Sequence, residues 1–378
     1  MNTSFDFEDI RPYNDEEINP ALKRITSVPI FGKILDYLFP DRPNEEIISE
    51  IHTITSAIEF QKIFMHPAIR SIVKQTSNGL TCSGFDNIDP DNAYLFIANH
   101  RDILLDSAIL QILLVEHNFE TSEITFGSNL MTSEFIIDAG KVNRMFKVVR
   151  NGTKREMLTN LKRLSAYMRY TITGKNTSLW IAQRKGRTKD GNDKTEPGLL
   201  KMLNISGTDN FIENFTELNI VPLTISYEYE PCDVLKVMEL YSSLNAPYKK
   251  SPGEDLKSII TGITQQKGRI HFSVGKPIND KLYEIEERAN NDKINQLTRM
   301  IDKQIYENYK LWKTNYIAYD ILYNDNKYAN FYTFEEKEVF KKYISTQLNN
   351  IKGDKKILEK IFLNIYANPV ENKNTYSV

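Results

Sequence analysis

The chain predicts an α/β fold, a sheet covered on both faces by helices and extended at both ends by further helical segments. Three observations carry this. Six short apolar runs, rich in aromatic and β-branched residues and bounded by turn residues, read as buried strands (94–98, 123–127, 144–150, 178–182, 219–227 and 268–274). Most of the gaps between them hold stretches of helical spacing, the alternation that an α/β sheet requires. Both ends of the chain read as helical.

Taken in order, residues 1–20 form a loosely ordered lead-in with an acidic start and no apolar h-region, so a signal peptide is not expected. Residues 25–40 are apolar with prolines near both ends, and fit either a short amphipathic surface helix or a segment buried on the core. Residues 44–75 predict a helix broken near Pro67, with Ile47, Ile48, Ile51, Ile54, Ile58, Phe60, Ile63 and Phe64 on its buried face. His52 and His66 lie within it as structural or exposed residues. The turn signals Asn78-Gly79 and Ser83-Gly84 precede the opening strand 94–98. Ile103, Leu104, Ser107, Leu110, Ile112 and Leu113 then recur at helical spacing. Strand 123–127, a helical stretch and strand 144–150, ending in the turn Asn151-Gly152, follow. Helix 154–170 turns Met157, Leu158, Leu161, Leu164, Tyr167 and Met168 inward. Strand 178–182 opens into a polar loop, 183–191, and a helix starts at Pro197. Beyond Leu282 the helical signal is broken at 324–326 and 352–354. The predicted organisation is an N-terminal helical region (1–80), an α/β core (81–281) and a C-terminal helical region (282–378).

With 378 residues, 40% hydrophobic and 26% charged, the chain has the composition of a globular protein with a sizeable core. Cys82 and Cys232 lack metal-ligand spacing, and a reduced cytoplasmic compartment fits them. No segment approaches the ~20 apolar residues that cross a bilayer, so a lipid substrate would be met from the membrane surface. The net charge of −2 hides an asymmetry. Between Lys141 and Lys189, fourteen Lys or Arg stand against Glu156 alone, a segment charge of +13 that leaves −15 for the rest. Lys162, Arg163 and Arg169 fit a solvated helix face. Lys147, Arg150, Arg184 and Arg187 adjoin strand-like runs, and cations held there suit an anionic ligand: a phosphate, a phosphopantetheine carrier or an acidic bilayer.

The chemistry concentrates at residues 94–110. His100 falls where a buried strand ends and a helix begins, a rigid position that opens to solvent. Asp106, about one and a half turns into the helix, can turn back onto the imidazole, fix its tautomer and leave the other nitrogen as a general base. A lone histidine is more often a satisfied core residue. The flanking residues favour the catalytic reading. Asn99-His100-Arg101, followed by Asp106 and an Ile/Leu helix, resembles the first motif of the glycerolipid acyltransferases, the family of lysophosphatidate and glycerol-phosphate acyltransferases. That family has four residues between His and Asp; here there are five, with Asp106 the better match and Asp102 the fallback.

Three further stretches resemble the family's later motifs. Phe146 and Arg150 match an aromatic-then-Arg strand end, without the leading glycine and one residue longer. Gln183-Arg184-Lys185-Gly186-Arg187-Thr188 stands where the family has Phe-Pro-Glu-Gly-Thr-Arg: Gly186 matches, Arg187-Thr188 is in swapped order, and Lys185 replaces the glutamate. Val221-Pro222 with its apolar strand matches the fourth motif, and 268–277 the closing strand. The resemblance spans about 93–277 and implies a mixed, mostly parallel sheet like that of glycerol-phosphate acyltransferases. It further implies transfer of an acyl group from acyl-CoA or acyl-carrier protein to a lysophospholipid hydroxyl, 1-acylglycerol-3-phosphate first, giving phosphatidate. His100 and Asp106 would be the catalytic pair, with Arg101, Arg150, Arg184, Lys185, Gly186 and Arg187 contacting substrate. No metal and no resident cofactor are implied. The protein would be peripheral on the inner face of the cell membrane, against an anionic membrane surface. A competing reading is a degraded member of the fold that binds anionic lipid without turnover. Nucleic-acid binding ranks lowest, since no recognised module accompanies the basic segment.

Overall fold

The computed structural model describes residues 5–150 and 152–376. Met1 to Ser4 of the acidic start and Asn151 of the turn after strand 144–150 lie outside them. Seven strands form one sheet: β1 (Leu80–Ser83), β2 (Leu95–Ala98), β3 (Glu123–Gly127), β4 (Met145–Val148), β5 (Leu179–Ala182), β6 (Ile220–Tyr227) and β7 (Ile270–Val274). Their order is β1-β7-β6-β2-β5-β3-β4, and every neighbouring pair is parallel except β6 and β7. The sheet is therefore mixed and mostly parallel, flanked by helices.

Period-2 alternation sorts the strand residues between two cores. Phe96, Ala98, Trp180, Val221 and Leu223 face one core, closed by the N-terminal helices and the helix Leu105–Glu116. Leu95, Ile97, Leu179, Ile181 and Ile220 face the other, closed by the helices Lys154–Thr173, Pro197–Asn204 and Asn290–Asn308. The last of these lies in the predicted C-terminal region yet covers the sheet through Leu297, Ile301 and Ile305. A third cluster joins the helices Lys313–Tyr323, Phe334–Leu348 and Lys355–Thr375 to Val237.

Several elements depart from the sequence reading. Strand β1, between the two turn signals, was not predicted. It is a four-residue edge strand with alternate residues exposed. The lead-in is helical from Asp15 onward, and Glu17 accepts the Asn14 amide at 2.8 Å. The long helix 44–75 breaks at Ile54–Ser56, where the Ser56 hydroxyl caps a new helix by accepting the Glu59 amide. Pro67 lies inside a helical run that continues from Ala57–Phe60 through a π-helical stretch, Gln61–Met65, into His66–Thr76, and the wider turn just before it takes up the proline. Segment 25–40 is a helix, Pro29–Leu38, with Phe31, Leu35 and Leu38 buried. Leu158 is 51% exposed rather than on a buried face. Pro222 sits in an interior strand, paired with Ile97 of β2 and one residue beyond the last β6–β7 pair, where its carbonyl accepts the Gly275 amide at 2.8 Å. Among the described residues no helix is long and apolar enough to cross a membrane.

Candidate active site

Strand β2 delivers His100 to the sheet's end. After Ala98 the Asn99 side chain takes over the ladder to β6, accepting the Ile225 amide at 2.8 Å and donating to the Ile225 carbonyl at 3.0 Å. This fixes the chain one residue before the histidine. The His100 imidazole, with 13% of its side chain exposed, makes a 2.9 Å Nδ1 hydrogen bond to Asp106 Oδ2. An ionised carboxylate can only accept, so Nδ1 carries the proton and Nε2 is the basic nitrogen. Nε2 has no partner among the described residues.

Asp106 is buried and acts as the hub of the loop. Its Oδ2 also accepts the main-chain amides of Arg101 (2.5 Å) and Asp102 (2.9 Å), and its Oδ1 accepts the Tyr227 hydroxyl at 2.8 Å. The wrapped loop absorbs the additional residue between His100 and Asp106. The pairing left open by the sequence is thus made with Asp106. Asp102 instead caps the next helix, accepting the Leu104 and Leu105 amides at 2.9 and 2.8 Å. Its carboxyl is raised above the usual range by burial and by Asp106, with Arg187 opposing. Burial and the neighbouring carboxylates likewise raise Tyr227, which stays a donor.

The loop after β5 closes over the same end of the sheet. The Gln183 amide donates to the Ala98 carbonyl at 2.8 Å, and the Thr188 amide to the His100 carbonyl at 2.7 Å. Gly186 turns the loop at φ +77°, a left-handed conformation that favours glycine. Trp180, one turn of the pleat below, meets the His100 ring edge-on at 5.5 Å between centroids.

Unpartnered polar atoms gather along these strand ends. Arg150 Nε, Arg184 Nε, Arg187 Nη1, Trp180 Nε1 and Gln183 Nε2 are buried donors without an acceptor among the described residues. Buried donors are normally paired, so these are candidates to receive a ligand's acceptors. Asp102 Oδ2 and Asp193 Oδ1, in the loops after β2 and β5, are buried acceptors likewise without a partner among the described residues. Burial holds the Arg150 guanidinium below the usual arginine range, with Glu196 opposing. Glu196 also accepts the Lys185 amide at 3.2 Å, which ties the Arg150 and Arg184–Arg187 segments to a common neighbour. Lys185 and Gly186 are exposed at the loop tip.

Arg101 departs from the sequence reading. Its guanidinium is fully buried, bonded to Asp193 (2.5 Å), Glu230 (3.0 Å) and the Gly191 carbonyl (3.1 Å), and stacked over Tyr309. It cannot reach a substrate; it is part of the site's foundation. The +13 segment is likewise less open than its composition suggests. Arg163, Arg169, Lys175 and Lys189 pair with Asp9, Glu217, Glu123 and Glu239, and Arg169 is a packed anchor rather than part of a solvated face. Tyr227, Trp180, Asp193, Glu230 and Lys236 were not anticipated. The one sequence signal for Tyr227 is its place at the end of a predicted strand.

No protein-family model matches the chain, and no curated protein matches it. Among solved structures it is similar to the crystal structure of the 1-acyl-sn-glycerophosphate (LPA) acyltransferase, PlsC, from Thermotoga maritima. That similarity has 12% identity and a TM-score of 0.37, over 75% of this chain and 91% of the other.

Proposed function

We propose that the protein is an O-acyltransferase that moves an acyl group from a thioester, acyl-CoA or acyl-carrier protein, to the hydroxyl of a phosphate-bearing lysolipid, 1-acylglycerol-3-phosphate first. The supporting observation is an imidazole with a carboxylate-fixed tautomer and an unpartnered Nε2 at the end of β2, with buried arginine donors that lack acceptors on the loops after β4 and β5. His100 Nε2 takes the acceptor's hydroxyl proton as its oxygen attacks the thioester carbonyl. The C–O bond forms, the tetrahedral oxyanion collapses, the C–S bond breaks, and the imidazolium returns the proton to the departing thiolate. Asp106 steadies the imidazolium while it lasts. Arg150, Arg184 and Arg187 hold the acceptor's phosphate, and Lys185 reaches it from the exposed tip. The reaction takes place at an anionic membrane surface, on the inner face of the cell membrane, where the lysolipid resides.

The test is thiol release by the purified full chain with acyl-CoA or acyl-carrier protein against lysophosphatidate, glycerol phosphate and a lysolipid with an amino-acid head group. Acceptor-dependent release with a phosphate-bearing acceptor is expected. Silence with both donors and every acceptor overturns the reading and leaves an anion-binding protein.

A further inference from the structure

We infer that Lys236 is a positioning residue for the His100 loop, fastening it to the helix Asp233–Ser243 between β6 and β7. The inference rests on His100 being the general base. The loop between β2 and the helix Leu105–Glu116 has two consecutive carbonyls, those of His100 and Arg101, that no ladder satisfies. Thr188 takes the first through its main-chain amide. The second accepts the Lys236 ammonium at 2.8 Å. Lys236 is 1% exposed, and its ammonium also pairs with Glu230 at 2.5 Å. Glu230 reaches back to the Arg101 guanidinium at 3.0 Å, and Arg101 reaches on to Asp193 at 2.5 Å.

Arg101 is therefore gripped at both its carbonyl and its side chain by one pair of residues, Glu230 and Lys236, 129 and 135 positions away. Two cations and two carboxylates balance to zero charge in the interior, so neither Lys236 nor Glu230 can be lost alone without stranding a buried charge. A simple apolar contact would keep the fold as well at lower desolvation cost. What the ammonium adds is a directed bond to the main chain next to the base. Placement to within about 0.5 Å is what a reacting imidazole requires.

The charge balance makes the idea testable apart from stability. Lys236→Met strands Glu230, whereas Lys236→Met with Glu230→Gln keeps Arg101 and Asp193 as a neutral pair, leaves Arg101 a neutral amide oxygen to donate to in place of the Glu230 carboxylate, and removes the bond to the carbonyl without a stranded charge. The two variants and wild type are compared in the full chain by ¹⁵N-histidine NMR of the His100 ring and by kcat and KM for thiol release to lysophosphatidate. Wild type shows a single Nδ1-protonated ring. Both variants lose that single signature, and kcat falls about 10- to 100-fold while the acceptor KM stays within about twofold. A double variant with wild-type ring signals and wild-type kcat overturns the proposal, leaving the network as charge balance. Failure of both variants to fold overturns it too, because the pair would then hold the fold rather than the loop. If wild type itself has no turnover, the acyltransferase reading fails separately, and the ring signals still decide the role of Lys236.

Discussion

Replacing Asp106 with asparagine separates the charge of the hub from its geometry. The carboxylate receives four hydrogen bonds, three on Oδ2 (His100 Nδ1, Arg101 N, Asp102 N) and one on Oδ1 (Tyr227 O–H). Two of the three on Oδ2 come from main-chain amides that cannot reverse, so an asparagine must set its carbonyl oxygen there and its NH₂ toward Tyr227. The Tyr227 hydroxyl can rotate to accept. His100 thus keeps its Nδ1–H tautomer, and what is lost is the negative charge facing the imidazolium. A charge-assisted bond exceeds a neutral one by about 1–2 kcal/mol, so Asp106→Asn lowers kcat about 5- to 30-fold and changes the acceptor KM little. Tyr227→Phe keeps the charge and removes one of four donors, and lowers kcat less than Asp106→Asn does. Asp106→Ala leaves three buried donors without an acceptor, at about 1–3 kcal/mol each, and destabilises the fold severely. Steady-state thiol release and urea melts measure these effects. Wild-type kcat for Asp106→Asn refutes the role of the charge. A loss of thousands-fold accompanied by an Nε2-protonated ring refutes the orientation argued from the main-chain amides.

Arg187→Gln and Arg150→Gln each raise the acceptor KM about tenfold or more, since each removes a charge-assisted contact to phosphate; an unchanged KM removes that arginine from the phosphate site. At Gly262, a buried position in the helix Glu254–Thr264, an added Cβ would lie 2.0 Å from Asp102 Oδ2. Gly262→Ala therefore destabilises the chain by about 1–3 kcal/mol despite alanine's better helix propensity, and a urea midpoint at or above wild type contradicts the close packing. Asp302 is pushed up to about 6 by burial, with Asp193 adding to the shift. Its protonated form is favoured in the folded state, so the folded chain binds more protons than the unfolded one between about pH 4 and 6. Stability from this group is present below that window and is lost as pH rises through it, by about 3 kcal/mol. An Asp302→Asn amide oxygen can still accept the Thr195 amide, which lies 2.8 Å from Oδ1. The stability of the variant relative to wild type should therefore rise by about that amount from pH 4 to 7 in urea titrations, and a flat difference contradicts it.

The strands were legible because five of the six predicted runs are buried on both faces and end in turn residues. β1 was not, because an edge strand of four residues with alternate side chains in solvent carries too little apolar signal. The break at Ile54–Ser56 was written in Ser56-Ala57-Ile58-Glu59, a capping-box pattern, but the isoleucine periodicity on either side outweighed it. Within the site, His100 and Asp106 could be found because they are close in sequence and flank a change of period. Arg101 was misread for the opposite reason. Its partners Asp193 and Glu230 lie 92 and 129 residues away, so nothing local distinguishes a buried structural cation from a ligand-facing one. The same distance hid the pairing of Arg163, Arg169, Lys175 and Lys189, and made the basic segment look more open than it is.

In the proposed reaction His100 removes the acceptor's proton. The most direct measurement compares wild type and His100→Ala for thiol release from an acyl thioester and, in the same preparations, for equilibrium binding of lysophosphatidate. His100→Ala is expected to bind the lysolipid within about twofold of wild type while turnover falls at least a hundredfold. Equal turnover by the two proteins, measurable or negligible, would contradict it.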